Sequence, residues 1–294
     1  MDHFNSCELC PRRCKINRHK TNGFCGANDK LKVAHYSLHE WEEPIISGIN
    51  GSGTIFFSNC NLKCIFCQNK KISTNSYGKY IEEDRLKEIM LELKEIGAHN
   101  INLVTPTMYI PIIINVLKRI RKDLGIPIVY NTSSYETVES IKLLDGYIDI
   151  YLADLKYYNN DLGVKYSNCH NYFDVASKAI SAMYKQVGKP LIKNGLLIKG
   201  IIVRVLVLPG HVEDAKKIIE YLYKTYKDNI IISIMNQYTP IDICKFSNLN
   251  RKLTDEEYSE VINYACDLGI TNAFIQEDET QTKSFIPNFN SDNI

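Results

Sequence analysis

The sequence predicts an α/β fold: an open partial (β/α)6 barrel of the TIM type, carrying an N-terminal cysteine-rich appendage. Three observations predict it. From residue 54 onward, short β-branched runs alternate with longer amphipathic ones, six times over. The strands are almost continuously apolar, as strands covered on both faces are. Polar residues and prolines collect at the same end of every strand. Six units are two short of a closed barrel, so the arrangement is read as open. Residues 1–53 stand outside the alternation and form the appendage; residues 54–294 form the barrel.

"TIFFS" (54–58) is the first strand and delivers the chain to Cys60. In 82–97, Leu86, Ile89, Met90, Leu93 and Ile96 recur at helical spacing, and Gly97 supplies the stop. "NINLVTP" (100–106) is the second strand, and 109–125 a helix with Pro111 in its first turn and Gly125 at its end. Strand 126–133, helix 135–144, strand 149–156 and helix 172–188 follow by the same pattern. Strand 196–209, helix 212–226, strand 229–238 and helix 254–269 complete the six units, before a short strand 273–276 and a polar tail. Cys266, inside the last amphipathic run, is read as core.

Composition narrows the function classes. Lys plus Arg (35) balance Asp plus Glu (34), which gives no electrostatic ground for nucleic acid or an anionic membrane as partner. The start "MDHFNSCELC" has no basic, then apolar, secretory pattern. No apolar run reaches about eighteen residues, the longest being broken by Lys199 and Arg204. A cytoplasmic location is expected, where ten cysteines read as metal ligands before disulfides. Seven of the ten fall within the first 67 residues.

"SNCNLKCIFCQN" (58–69) sets Cys60, Cys64 and Cys67 at C-x3-C-x2-C, with Phe66 before the last. Three thiolates so spaced can hold three irons of a 4Fe–4S cube and leave the fourth iron without a protein ligand. The alternative is a structural zinc loop completed by an N-terminal cysteine, although such loops favour C-x2-C knuckles. The spacing, the aromatic and the place after the first strand resemble the radical S-adenosylmethionine (radical SAM) superfamily. The chain looks most like its pyruvate formate-lyase activating enzyme group, as an uncharacterised subgroup.

That resemblance implies a 4Fe–4S cluster whose free iron binds S-adenosylmethionine, and reductive cleavage to a 5′-deoxyadenosyl radical that abstracts hydrogen. It implies an anaerobic oxidoreductase with ferredoxin or flavodoxin as reductant, and a glycyl radical enzyme or other protein as substrate. It also implies cofactor-facing residues: Asn131 and Thr132 in "YNTSSYE", Asp154 and Lys156 in "YLADLK", and Arg204 and His211 in "VRVLVLPGH". Asn236, Gln237 and Tyr238 would line the pocket. Where most members carry Gly-Gly-Glu for the cofactor's ammonium, this chain has "VTPTMY", so backbone carbonyls with the hydroxyls of Thr105 and Thr107 are expected to accept those hydrogen bonds. Other readings are radical modification of another protein or a small molecule, and a non-catalytic iron–sulfur or zinc protein of electron transfer or assembly.

Cys7, Cys10, Cys14 and Cys25, spaced C-x2-C-x3-C-x10-C, make a complete four-thiolate set. Zinc would make it a clamp, a second cluster an electron relay; spacing does not choose, and a structural role is favoured. The basic residues among them (Arg12, Arg13, Lys15, Arg18, His19, Lys20) read as a solvated face, or else as a patch for an acidic partner.

Overall fold

The computed structural model describes residues 2–276 and Phe289. The rest of the polar tail lies outside the described residues. After a series of turns the chain forms β1 (Lys32–His39), the one-turn helix α1 (Pro44–Ser47) and β2 (Ser52–Phe57). The cysteine loop leads to α2 (Lys70–Ser73), β3 (Lys79–Tyr80) and α3 (Glu83–Glu95). Then β4 (Ile101–Val104), α4 (Ile110–Leu124), β5 (Ile128–Thr132), α5 (Val138–Leu143) and β6 (Ile150–Asp154) alternate. Two helices follow, α6 (Asn160–Ser167) and α7 (Tyr172–Val187). Strands β7 (Leu191–Lys193) and β8 (Leu196–Leu206) precede α8 (Val212–Tyr226), β9 (Ile231–Met235), α9 (Asp255–Asp267) and β10 (Ala273–Ile275).

The strand order is β10-β9-β8-β6-β5-β4-β2-β1-β3, and every pairing from β2 to β10 is parallel. Spatial order follows chain order, with helical crossovers, which is the open partial barrel the alternation predicts. Beyond the predicted units, β1 pairs antiparallel with β2, β3 pairs with β1, and β7 forms a hairpin with β8.

Side chains alternate across each strand and so divide the apolar residues between two cores. Ile128, Tyr130, Tyr151, Ile201 and Val203 join the outer core with the buried faces of the helices. Val129, Ile150, Leu152, Ile202 and Ile231 turn inward and meet Ile46 of α1, which fills the base of the barrel. Further along the same inward rows the residues become polar: Asn131, Asp154, Arg204 and Ser233. The polar end of the barrel interior is therefore set by sequence parity.

Helix termini fall where the punctuating residues stand. Gly125 closes α4 with φ of 63°, and Gly97 follows α3 with φ of 92°. Two outcomes differ from expectation. Helix α6 was not read from the sequence, and Cys266 is exposed rather than core. On α9 it is Val261 and Ala265 that are buried, leaving Cys266 on the outer side. No helix among the described residues is long and apolar enough to cross a membrane.

Candidate active site

Strand β2 ends at Phe57, and the chain then turns through Asn59 (φ 77°) and Lys63 (φ 57°). These left-handed residues curl the loop so that Cys60, Cys64 and Cys67 all line one cavity of about 620 Å³. Each sulfur accepts a hydrogen bond. The Leu62 N–H donates to Cys60 (3.4 Å), the Ser167 hydroxyl to Cys64 (2.9 Å) and the Ser73 hydroxyl to Cys67 (3.3 Å). Burial pushes the Cys64 thiol up to about 12, against the pull of Lys156, and also raises Cys67. Metal must therefore displace protons from these thiols as it binds. Phe66 packs edge-on to Tyr238, Tyr166 and Tyr157 at 6.0, 6.4 and 6.5 Å, forming an aromatic wall beside the sulfurs.

Facing the loop is a charged network on the polar ends of the inward rows. Arg204 donates through Nε to Asp154 (2.7 Å), through Nη2 to Asn131 Oδ1 (2.8 Å) and through Nη1 to Glu42 (3.3 Å). Lys156 donates to the other oxygen of Asp154 (2.7 Å). Asn102 and Asn131 both donate to Glu42 Oε1, at 3.1 and 3.3 Å. Burial alone would raise the Asp154 carboxyl, but Arg204 and Lys156 outweigh it and hold the group below its ordinary value. Lys156 is held above its ordinary value: burial works against the ammonium, and Asp154 outweighs it. Burial raises Glu43, with Arg204 opposing. Two partly buried cations, Lys156 and Arg204, thus stand against three partly buried carboxylates, Asp154, Glu42 and Glu43, in a cavity large enough for a small ligand.

The structure brings together most of the residues singled out from the sequence. Thr105, Asn131, Thr132, Asp154, Lys156 and Arg204 line this cavity with the three cysteines, as do Gln237 and Tyr238. Thr105 does so in a left-handed conformation, φ 59°. Thr107 and His211 do not line it. Thr107 donates to the buried Glu136 (2.6 Å), which also receives the Thr132 hydroxyl (2.7 Å). His211 is engaged by Tyr166 (2.8 Å) and Asn248 (3.1 Å). Asn236 likewise lies off the lining, its N–H donating to Gln276.

Residues 41–43, "WEE", line the cavity and were missed, because they precede the alternating pattern and carry no periodicity. The available signal was a pair of carboxylates directly before Pro44, a helix-starting proline.

The donor set suits a cluster with an open position: three sulfurs from one loop, each hydrogen-bonded, on the wall of a ligand-sized cavity. The family model of the radical SAM superfamily matches residues 54–242, from the first barrel strand to beyond the last of the six. The chain belongs to the radical SAM superfamily. Membership implies a 4Fe–4S cluster and S-adenosylmethionine as cofactors of a radical SAM enzyme. An uncharacterized protein of Methanocaldococcus jannaschii is 35% identical over 277 residues, covering 89% of this chain and 75% of that one.

Among solved structures, the radical SAM fold here is similar to SuiB of Streptococcus suis bound to its precursor peptide SuiA. The TM-score is 0.54 at 16% identity, covering 76% of this chain and 48% of SuiB. A radical SAM methyltransferase of Sphaerobacter thermophilus gives 0.52 at 14% identity, covering 76% of this chain and 66% of the other. The chain therefore spans about half the length of SuiB, and these likenesses concern the fold.

Proposed function

We propose that this radical SAM enzyme abstracts hydrogen from a protein substrate. A glycine Cα of a partner glycyl radical enzyme is the form that the sequence resemblance favours, with ferredoxin or flavodoxin as reductant. The observation that carries the reading is the three-cysteine loop and the Asp154–Lys156–Arg204–Glu42 network on the walls of one cavity. When bound, the cluster and S-adenosylmethionine supply reductive cleavage to the 5′-deoxyadenosyl radical.

The residues of the chain bind, orient and shield. Cys60, Cys64 and Cys67 hold the cluster. Thr105, Asn131, Thr132, Asp154, Lys156 and Arg204 are assigned to the cofactor, Lys156 and Arg204 matching a carboxylate and the acceptors matching an ammonium. Glu42 joins them from the segment before α1, in place of the glutamate that "VTPTMY" lacks. The aromatic wall of Phe66 and its three tyrosines limits water beside the sulfurs.

A second reading keeps the radical chemistry but takes a peptide or a small molecule; the peptide-bound state of SuiB motivates the peptide. The test is anaerobic reduction of reconstituted protein with dithionite in the presence of S-adenosylmethionine. Release of 5′-deoxyadenosine is expected from the native chain and not from Cys64→Ser. A fully reconstituted protein that releases none would sink both readings in favour of a non-catalytic iron–sulfur protein. An electron paramagnetic resonance signal of a glycyl radical in a co-incubated partner separates the first reading from the second.

A further inference from the structure

Cys7, Cys10, Cys14 and Cys25 surround one small enclosed cavity, with Arg18 on its wall. Tight turns bring them there. The Cys7 N–H donates to Ile16 O (2.9 Å) and the Lys15 N–H to Cys7 O (2.9 Å), so the chain doubles back around Cys10 and Cys14. Arg13, Lys15 and Gly26 adopt positive φ of 42°, 54° and 93° at the corners. A Cβ on Gly23 would stand 3.3 Å from the Cys25 sulfur and 3.9 Å from the Cys14 sulfur, so both sulfurs flank that glycine. Among the described residues no three Cys, His, Asp or Glu side chains are already gathered as ligands of a single ion. The four thiols nevertheless line one shared space.

The second observation is electrostatic. Arg18, expected on a solvated face, is only 1% exposed. Its Nη1 donates to Met108 O (2.8 Å) and lies 3.8 Å from the Cys7 sulfur, its Nη2 donates to Asn28 O, and its Nε has no partner among the described residues. Phe4 covers the guanidinium face at 4.7 Å. Among the described residues its oxygen acceptors are neutral carbonyls, yet a guanidinium keeps its charge in proteins. A buried charge without a counter-charge is strongly disfavoured, and neutral thiols supply none. Four thiolates on a divalent ion, or on an oxidised 4Fe–4S core, leave a net charge of about −2 beside it.

We infer that Cys7, Cys10, Cys14 and Cys25 hold a second metal centre, closed by four thiolates, whose negative charge is the partner of the buried Arg18. Its occupant is a thiophilic metal, zinc or an iron–sulfur cluster, taken up with release of the thiol protons to solvent. The centre braces the three-cysteine loop from behind. Arg12, between Cys10 and Cys14, donates to Asn61 O (2.9 Å), and Gly26 packs so closely on Asn59 that a Cβ there would stand 3.0 Å from its Oδ1. Asn59 and Asn61 flank Cys60.

The test begins with the triple variant Cys60→Ser/Cys64→Ser/Cys67→Ser, purified without oxygen, which removes the loop site. About one zinc per chain, or about four irons with about four sulfides, is expected to persist. Adding Cys10→Ser and Cys14→Ser should abolish it. A folded triple variant with neither metal nor sulfide overturns the inference, whatever the outcome of the radical assay. Arg18→Gln leaves all ligands in place and is expected to release the metal to a chelator about tenfold or more faster. An unchanged release rate would overturn the assigned pairing with Arg18.

Discussion

Glu136 shows how one side chain redirects a residue that looks functional, Thr107. The hydroxyls of Thr107, Thr132 and Tyr130 all donate to its Oε1, at 2.6, 2.7 and 3.2 Å, while its buried Oε2 has no partner among the described residues. Burial raises this carboxyl from 4.5 to about 7, with the three hydroxyls opposing. Between those values the folded chain keeps a proton that the unfolded chain has lost, so the native state binds more protons and stability falls as pH rises. The contribution is complete below pH 4.5 and is lost as pH climbs through 7, on the order of 3 kcal/mol in all. Glu136→Gln, which stays neutral, should flatten the decline. The check is the melting temperature of both proteins from pH 5 to 8, and parallel curves would refute it. The sequence placed Thr107 toward the cofactor because hydroxyls at strand ends suit an ammonium. It gave no sign of the carboxylate 29 positions away that claims this hydroxyl.

Among the elements, the legible ones were those with a long period. Helices α3, α4, α7, α8 and α9 lie within the runs read from apolar spacing and terminal residues. Helix α6 was not legible: it has eight residues, a glycine in its middle and a start capped by the Asn159 side chain. Its glycine is required by packing, because a Cβ on Gly163 would come within 2.8 Å of Cys169 O. This short helix matters because its last residue, Ser167, donates to the Cys64 sulfur. Hydrogen bonds to cluster sulfurs stabilise the reduced, more negative state. Ser167→Ala should therefore lower the midpoint potential of the reconstituted cluster, by on the order of tens of millivolts. Redox titration followed by electron paramagnetic resonance measures this, and a potential that rises would refute it.

For the whole molecule, the barrel could be read from residue 54 onward because local periodicity encodes it, and the cysteine loop because its spacing is local too. The contribution of residues 32–47 could not be read, since it depends on partners far along the chain. Strand β1 extends the sheet, Glu42 reaches Asn102, Asn131 and Arg204, and Ile46 fills the base of the barrel. Ile46 is fully buried, so Ile46→Ala should cost about 3 kcal/mol, read as a lower denaturant midpoint with an unchanged slope. A loss within the range of surface substitutions would mean the base is not packed as described.

The filled base also bears on the cavity. Among the described residues, Ile46 and the inward apolar row pack the interior opposite the cysteine loop, so the ligand-sized cavity lies at the loop end. A small ligand held there therefore meets thiols and charged side chains on one side and packed hydrocarbon beneath it.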